Sequence, residues 1–206
     1  MQVEVLDHMG SDLTVVNAAR CSFDKFHNEF DNDKDSKLIK YLATHLHWST
    51  FSHCMMSFRI KAPIFVARQL GKHQVGLSWN EVSRRYVSDT PEFYVPVEWR
   101  TKAQNVKQGS SDKTVKIELN VEEYNNNCLK MYNDLLDTGV APEMARMLLP
   151  QNMMTTWWWT GSLYAFCRVC KLRLDPTAQK ETRDVAQLIY DECLKLFPVS
   201  WTHLMA

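Results

Sequence analysis

Between Arg68 and Tyr86 the chain concentrates polar side chains of the kind that grip ligands. The string Ser78-Trp79-Asn80-Glu81-Val82-Ser83-Arg84-Arg85-Tyr86 closely follows Arg68-Gln69-Leu70-Gly71-Lys72-His73-Gln74. Hydroxyls, an amide, one carboxylate and several cations thus fall within about twenty residues, and Gly71 and Gly76 permit close backbone approach. This inventory suits a small anionic ligand that also forms hydrogen bonds. Ser and Arg donors offer charge-assisted bonds to a phosphate, while Asn80 and Glu81 can orient a polar heterocycle or a ribose. Composition alone leaves that reading level with a solvated loop whose charges are incidental.

The charge balance narrows the ligand. Among 206 residues, 24 Lys+Arg offset 24 Asp+Glu, which argues against a surface devoted to nucleic acid, since that mode needs excess cations. The zero conceals an asymmetry: Arg59, Lys61, Arg68, Lys72, Arg84 and Arg85 face only Glu81 between positions 59 and 85, whereas 24–35 is mainly acidic. No apolar run approaches the roughly 18 residues of a membrane span. The alternating N-terminus lacks the basic-then-apolar form of a signal peptide. A cytoplasmic protein with no membrane partner is expected, its six scattered cysteines reduced. The length is enough to bury roughly 70% of the unfolded chain's surface in one domain spanning 1–206.

The elements that must position the polar string are legible by period. Residues 2–8 alternate as a strand, and Ser11 or Asp12 can cap a helix to about Arg20. The acidic stretch 24–35 reads as a surface loop, and Leu38, Leu42 and Leu46 mark a helix after Ser36. Residues 54–62 alternate with Met56, Phe58 and Ile60 on one face, and Pro63 opens a helix that Gly71 ends. The stretch 76–87 is too polar for a core element, and 101–117 reads as the most mobile loop. Val121, Tyr124, Cys128, Tyr132 and Leu135 mark a long amphipathic helix closed by Gly139, and Pro142 starts a short one. Residues 155–160 have β character, a helix follows to about Arg173, and Asp175-Pro176 starts the last helix, stopped by Pro198. Five or six helices and several short strands without regular alternation indicate an α+β fold.

At this point the residues resemble a known family. Ser78, Asn80, Glu81, Ser83, Arg85 and Tyr86 match the signature of the flavin-dependent thymidylate synthases, Arg-His-Arg, two residues, then Ser-x-Asn-Glu-x-Ser-x-Arg-Tyr. The segments 61–69, His47-x-Ser49…His53, Asp7-His8-Met9-Gly10 with Ala18-Ala19-Arg20-x-Ser22, Arg146–Pro150, Leu172-Arg173 and Ala178-Gln179-x-Glu181 are similar in the same order. The resemblance therefore spans nearly the whole chain. Departures are Lys72-His73-Gln74 for Arg-His-Arg, one extra residue before Ser78, Thr50 and Ser52 for Pro and Glu, Ser162 and Tyr164 for Asn and Arg, and Arg168 for Asn.

The resemblance implies a central, mainly antiparallel sheet flanked by helices, and conversion of dUMP to dTMP with methylenetetrahydrofolate as one-carbon donor and NADPH-reduced FAD as hydride source. It implies Gln69, Lys72, Glu81, Ser83, Arg84, Arg85, Arg146 and Arg173 at dUMP. Ser49, Lys72, His73, Gln74, Asn80, Glu81, Ser162, Tyr164 and Arg168 would contact FAD. Arg173 would act catalytically by favouring ionisation of the uracil ring nitrogen, so that no enzyme nucleophile is needed; a homotetramer would line each site with several subunits. No metal is expected: His45, His47 and His53 lack a spaced carboxylate, and Cys167-x-x-Cys170 lacks a second pair. Trp157-Trp158-Trp159 reads as packing or a subunit interface. The alternatives are a nucleic-acid module tracking phosphates along 59–85, and a nucleotide binder of the same fold without synthase activity.

Overall fold

The alternation at Met56, Phe58, Ile60 and Ala62 yields a strand with one face fully buried, and Thr155, Trp157 and Trp159 do the same a hundred residues later. These two strands form the centre of the computed structural model, which describes residues 1–87, 89–104 and 109–206. The strands are β1 (Gln2–Met9), β2 (Met55–Pro63), β3 (Leu77–Glu81), β4 (Trp99–Lys102), β5 (Ser110–Val115) and β6 (Met154–Ser162). The helices are α1 (Asp12–Arg20), α2 (Asn32–Thr44), α3 (Trp48–Phe51), α4 (Ile64–Leu70), α5 (Val121–Asp137), α6 (Pro142–Ala145), α7 (Leu163–Arg173), α8 (Lys180–Leu196) and α9 (Pro198–Met205).

Four strands form one antiparallel sheet in the order β1-β2-β6-β3, and β4 and β5 form a separate hairpin. Register places Phe58 opposite Trp159 and Ile60 opposite Trp157. That apolar face meets Val15, Val16, Ile39, Phe166, Val185, Ile189 and Trp201 from the helices, giving one core. On the reverse face, Arg59 pairs with Trp158 across the strands, and Trp158 is half exposed. The chain is an α+β fold with an antiparallel sheet flanked by helices, as expected.

Several elements differ from the sequence reading. The polar stretch at 76–87 supplies an edge strand, β3, because its two inward apolar residues, Leu77 and Trp79, pack on the core while Ser78 and Asn80 face away. Residues 101–102 and 110–115 belong to the β4–β5 hairpin rather than to a loop; 105–108 within that span lie outside the described residues. The acidic loop ends early, since Asp31 caps α2 by accepting from the backbone N–H of Asp33 and Lys34, and Asp35 is buried against Arg20 at 2.5 Å. Leu46 leaves the helical face, exposed at φ 57°. On α5 the buried residues are Asn125 and Tyr132, with Tyr124 exposed. Gly139 ends that helix as expected, at φ 85°, with Val140 N–H donating to the Leu135 carbonyl.

The helix expected after Asp175-Pro176 as the last one starts at Lys180 as α8, and Pro198, besides stopping it, opens a further helix, α9. Asp12, in the first turn of α1, accepts hydrogen bonds from the backbone N–H of Val199 (3.0 Å) and Ser200 (2.8 Å), capping α9 from the opposite end of the sequence. Among the described residues no helix is long and apolar enough to cross a membrane.

Candidate active site

The candidate string follows from the pleat of β3. Leu77, Trp79 and Glu81 share one face, so Trp79 stacks on Trp157 (4.5 Å between centroids, 17°) and meets Trp159 edge-on (5.4 Å, 73°). The strand begins close against β6: a Cβ on Gly161 would collide with Leu77 Cδ2 and lie 2.7 Å from the Gly76 carbonyl oxygen. Gly76 itself holds φ 75°, a left-handed conformation glycine adopts without strain. At the other end Glu81 accepts from Thr155 Oγ1 (2.8 Å) and Trp79 Nε1 (3.3 Å), which fixes its carboxylate.

Beyond β3 the chain turns on Ser83. Its carbonyl accepts from the backbone N–H of Tyr86 (3.0 Å) and Val87 (3.2 Å), and its Oγ accepts from Arg85 N–H and Nε at 3.3 Å each. Arg85 lies over the Tyr86 ring at 5.0 Å, and Arg84 donates to the Asp89 carbonyl. Arg84 and Arg146 line one groove of about 430 Å³ with Arg59, Lys61 and Glu81. Lys61 is engaged by Glu92 at 2.7 Å.

The second centre is the end of α7. Arg173 Nε donates to His73 Nε2 (2.9 Å), and its Nη2 donates to the Gln69 carbonyl (3.1 Å) in the last turn of α4. That carbonyl is one a helix end leaves without an intrahelical partner, so the guanidinium satisfies it and sits at the negative end of the helix dipole. Burial, reinforced by Arg173 and Arg168, pushes His73 below its ordinary value. A ring nitrogen that accepts from a guanidinium is unprotonated, so the His73 proton resides on Nδ1. Burial also lowers the Arg173 pKa, though a guanidinium keeps its charge.

These centres join through shared walls. Glu81 belongs to the 430 Å³ groove and to one of about 360 Å³ with Lys72, His73, Gln74 and Trp79. Lys72, His73 and Gln74 also line a cavity of about 300 Å³ with Arg168 and Arg173. Arg173 in turn borders a fourth, of about 570 Å³, with Gln69 and Gln179. One trough thus gathers Gln69, Lys72, His73, Gln74, Glu81, Arg84, Arg146, Arg168 and Arg173.

Six other predicted residues lie off its walls. Ser83 and Arg85 form the adjacent turn, and Asn80 points from the opposite face of β3. Ser162 is buried and caps α7 by accepting from Ala165 N–H (3.2 Å). Tyr164 leans on Trp48, 6.3 Å between centroids, next to exposed Ser49. Sequence reasoning left unassigned a linked set of Gln179, Thr182, Glu181 and Arg100, although Gln179 and Glu181 stood in a matched segment.

The four buried cysteines are poor thiolate nucleophiles. Burial pushes Cys54 up to about 12 and Cys167 to about 11, and raises Cys170 and Cys193 as well. Cys167 and Cys170 are core residues of α7. Tyr41 packs against His45 and His47 at 4.0 and 5.8 Å. Among the described residues no group of three or more His, Cys, Asp or Glu could hold a metal ion.

The fold and the sequence that builds it have close counterparts. The chain is 38% identical over 201 residues to a flavin-dependent thymidylate synthase of Thermus thermophilus, covering 97% of this chain and 73% of that one. It is 36% identical over 195 residues to the flavin-dependent thymidylate synthase of Thermotoga neapolitana, covering 93% and 86%. The crystal structure of a UMP/dUMP methylase, PolB from Streptomyces cacaoi bound with 5-Br dUMP, superposes with a TM-score of 0.85 at 31% identity, covering 98% and 93%. The profile of the family described as "Thymidylate synthase complementing protein" matches residues 4–199. Because that match takes in both the β3 string and the Arg173 end of α7, and the relatives carry the same enzyme's name across the same span, the chain belongs to the flavin-dependent thymidylate synthases.

Proposed function

We propose that the chain methylates dUMP to dTMP, with methylenetetrahydrofolate giving the one-carbon unit and NADPH-reduced FAD the hydride. The observation that carries this reading is Arg173, a half-buried guanidinium oriented by two acceptors, the Gln69 carbonyl and neutral His73, at the border of two cavities. A fixed cation beside the uracil ring stabilises the ring anion formed when its nitrogen loses a proton. The anion's electron density reaches the ring carbon that accepts the methylene. That carbon then gives up its proton, so activation needs no covalent bond to the enzyme. The raised thiol pKa values support this route, as does Ser83, whose Oγ is occupied by Arg85.

The phosphate falls to Arg84, Arg85, Ser83 and Arg146. Arg84 and Arg146, sixty-two positions apart, face one groove, and no ion pair among the described residues engages either guanidinium, so both can donate to a dianion there. Gln69 and Glu81 orient the nucleotide. The donor set also fits a flavin dinucleotide: no ion pair among the described residues engages Lys72 or Arg168, both flank the 300 Å³ cavity, and His73 and Gln74 add ring and amide contacts. Once bound and reduced by NADPH, the flavin would supply the hydride that reduces the transferred methylene to methyl. Ser49, Asn80 and Tyr164, which lie off the trough within one protomer, support the further proposal of a homotetramer whose subunits complete each other's sites, whereas Ser162 is held inside as the cap of α7. A cytoplasmic setting, with thiols reduced, belongs to the same reading.

Adding the cofactor and co-substrates to purified protein tests it. Purified protein should take up FAD, dUMP should perturb the flavin absorbance, and dTMP should form only when methylenetetrahydrofolate and NADPH are both supplied. Protein that retains no FAD and yields no dTMP would overturn the reading in favour of a nucleotide binder without synthase activity.

A further inference from the structure

A hydrogen-bonded line runs from the β4–β5 hairpin to the trough. Arg100 Nη2 donates to Glu181 Oε1 at 2.6 Å, and Gln179 Nε2 donates to Glu181 Oε2 at 3.0 Å. Gln69 Nε2 donates to Gln179 Oε1 at 2.5 Å, and Thr182 Oγ1 donates to Gln69 Oε1 at 3.2 Å. Glu181 is buried, 4% exposed, in the first turn of α8. Burial opposes its charge, but hydrogen bonds from Arg100, its own backbone N–H and Gln179 outweigh that and hold it below the usual carboxylate range.

The line has a direction. Two of its members are amides, which can present either end, and the threonine hydroxyl can donate or accept. Only an ionised carboxylate is confined to accepting and only a guanidinium to donating. Glu181 therefore forces Gln179 to offer it NH₂, which turns the Gln179 oxygen toward Gln69, which in turn commits the Gln69 NH₂ to that side. One Nε2 hydrogen of Gln69 is spent on Gln179; the other is the donor this side chain has left. Gln69 shares the 570 Å³ cavity with Arg173, itself a donor only. A uracil ring ionised at its nitrogen offers acceptors there, whereas cytosine offers an amino donor.

We infer that Glu181 is a positioning residue that, through Gln179, fixes the amide of Gln69 with its donor toward the pyrimidine, and so makes the site select uracil over cytosine nucleotides. The inference rests on the reading of the trough as a dUMP site and adds what that reading leaves open, how the base is told apart. Glu181→Gln keeps the shape but can donate, so the amide of Gln179, and with it that of Gln69, is free to reverse. Exchanging the two, Gln179→Glu with Glu181→Gln, restores an obligate acceptor facing Gln69 and keeps the net charge.

The test is binding of dUMP and dCMP by calorimetry, with KM and kcat for dUMP, in the FAD-loaded wild type, in Glu181→Gln and in the exchanged double variant. The ratio of dUMP to dCMP affinity should fall about tenfold or more in Glu181→Gln, KM should rise more than kcat falls, and the double variant should recover both. A ratio unchanged in Glu181→Gln, or lost activity that the exchange does not restore, overturns the inference and leaves Glu181 a merely structural residue. A wild type that binds dUMP over dCMP without forming dTMP fails the functional reading alone, and the ratio still decides this one. A wild type that binds neither nucleotide removes both.

Discussion

Arg173 shows how one side chain can serve the fold and the chemistry at once. It closes the exposed end of α4 and it is the cation placed for the substrate ring. Arg173→Ala should cut dTMP formation by about a thousandfold, the scale of a lost preorganised donor, while the thermal midpoint falls by only a few degrees. A rate within severalfold of wild type would refute its role. Arg85→Ala should weaken dUMP binding by about tenfold or more, the loss expected of a charge-assisted phosphate contact. Unchanged dUMP affinity by calorimetry would move the phosphate elsewhere. His73 carries a pH signature: its folded pKa is depressed, so the unfolded chain takes up the proton first, near 6.5. Stability is therefore unaffected above that value, falls as pH drops between the unfolded and folded values, and levels off below. Urea midpoints followed from about pH 7.5 to about pH 5 should show this slope, and His73→Gln should flatten it. At this scale the sequence identified Arg173 and His73 by resemblance, but no local pattern disclosed that they touch each other.

Elements whose apolar period was complete could be read directly. β2 alternates over its whole length, Pro63 and Gly71 bound α4, and Leu163, Phe166, Cys167 and Cys170 write the buried face of α7. β3 escaped because a five-residue edge strand with one solvated face needs only Leu77 and Trp79 to anchor it, and composition cannot reveal that Trp157 and Trp159 wait on the neighbouring strand. The hairpin escaped for a related reason: its stabilising contact, Arg100 with Glu181, spans eighty-one positions. The join of β3 to β6 gives an element-scale prediction. Gly161→Ala forces a Cβ into Leu77 and the Gly76 carbonyl, and should destabilise by about 1–3 kcal/mol, the usual range for overpacking. Thermal unfolding measures it, and dUMP affinity should weaken with it because β3 carries Glu81; a variant as stable as wild type would mean that β3 stands off from β6.

For the molecule as a whole, the reverse face of the sheet and the outer side of α5 leave Trp158, Tyr124 and Met131 about half exposed. If copies of the chain complete one another's sites, Trp158→Glu should lower the sedimenting mass and dTMP formation together; a fully active variant of lower mass would show that one protomer suffices. The zero net charge, which excluded a general polyanion surface, holds alongside a trough scaled to one nucleotide. The clasp between Asp12 and α9 has its own consequence, in time rather than in space. Trp201 fills the core, and the helix that carries it is capped by Asp12, which precedes Val199 by 187 positions. A growing chain on the ribosome can pair β1 with β2 early, yet it holds an open hydrophobic cleft until residue 201 has emerged. Closure of the core is thereby deferred until α9 has been made and can seal the cleft against α1.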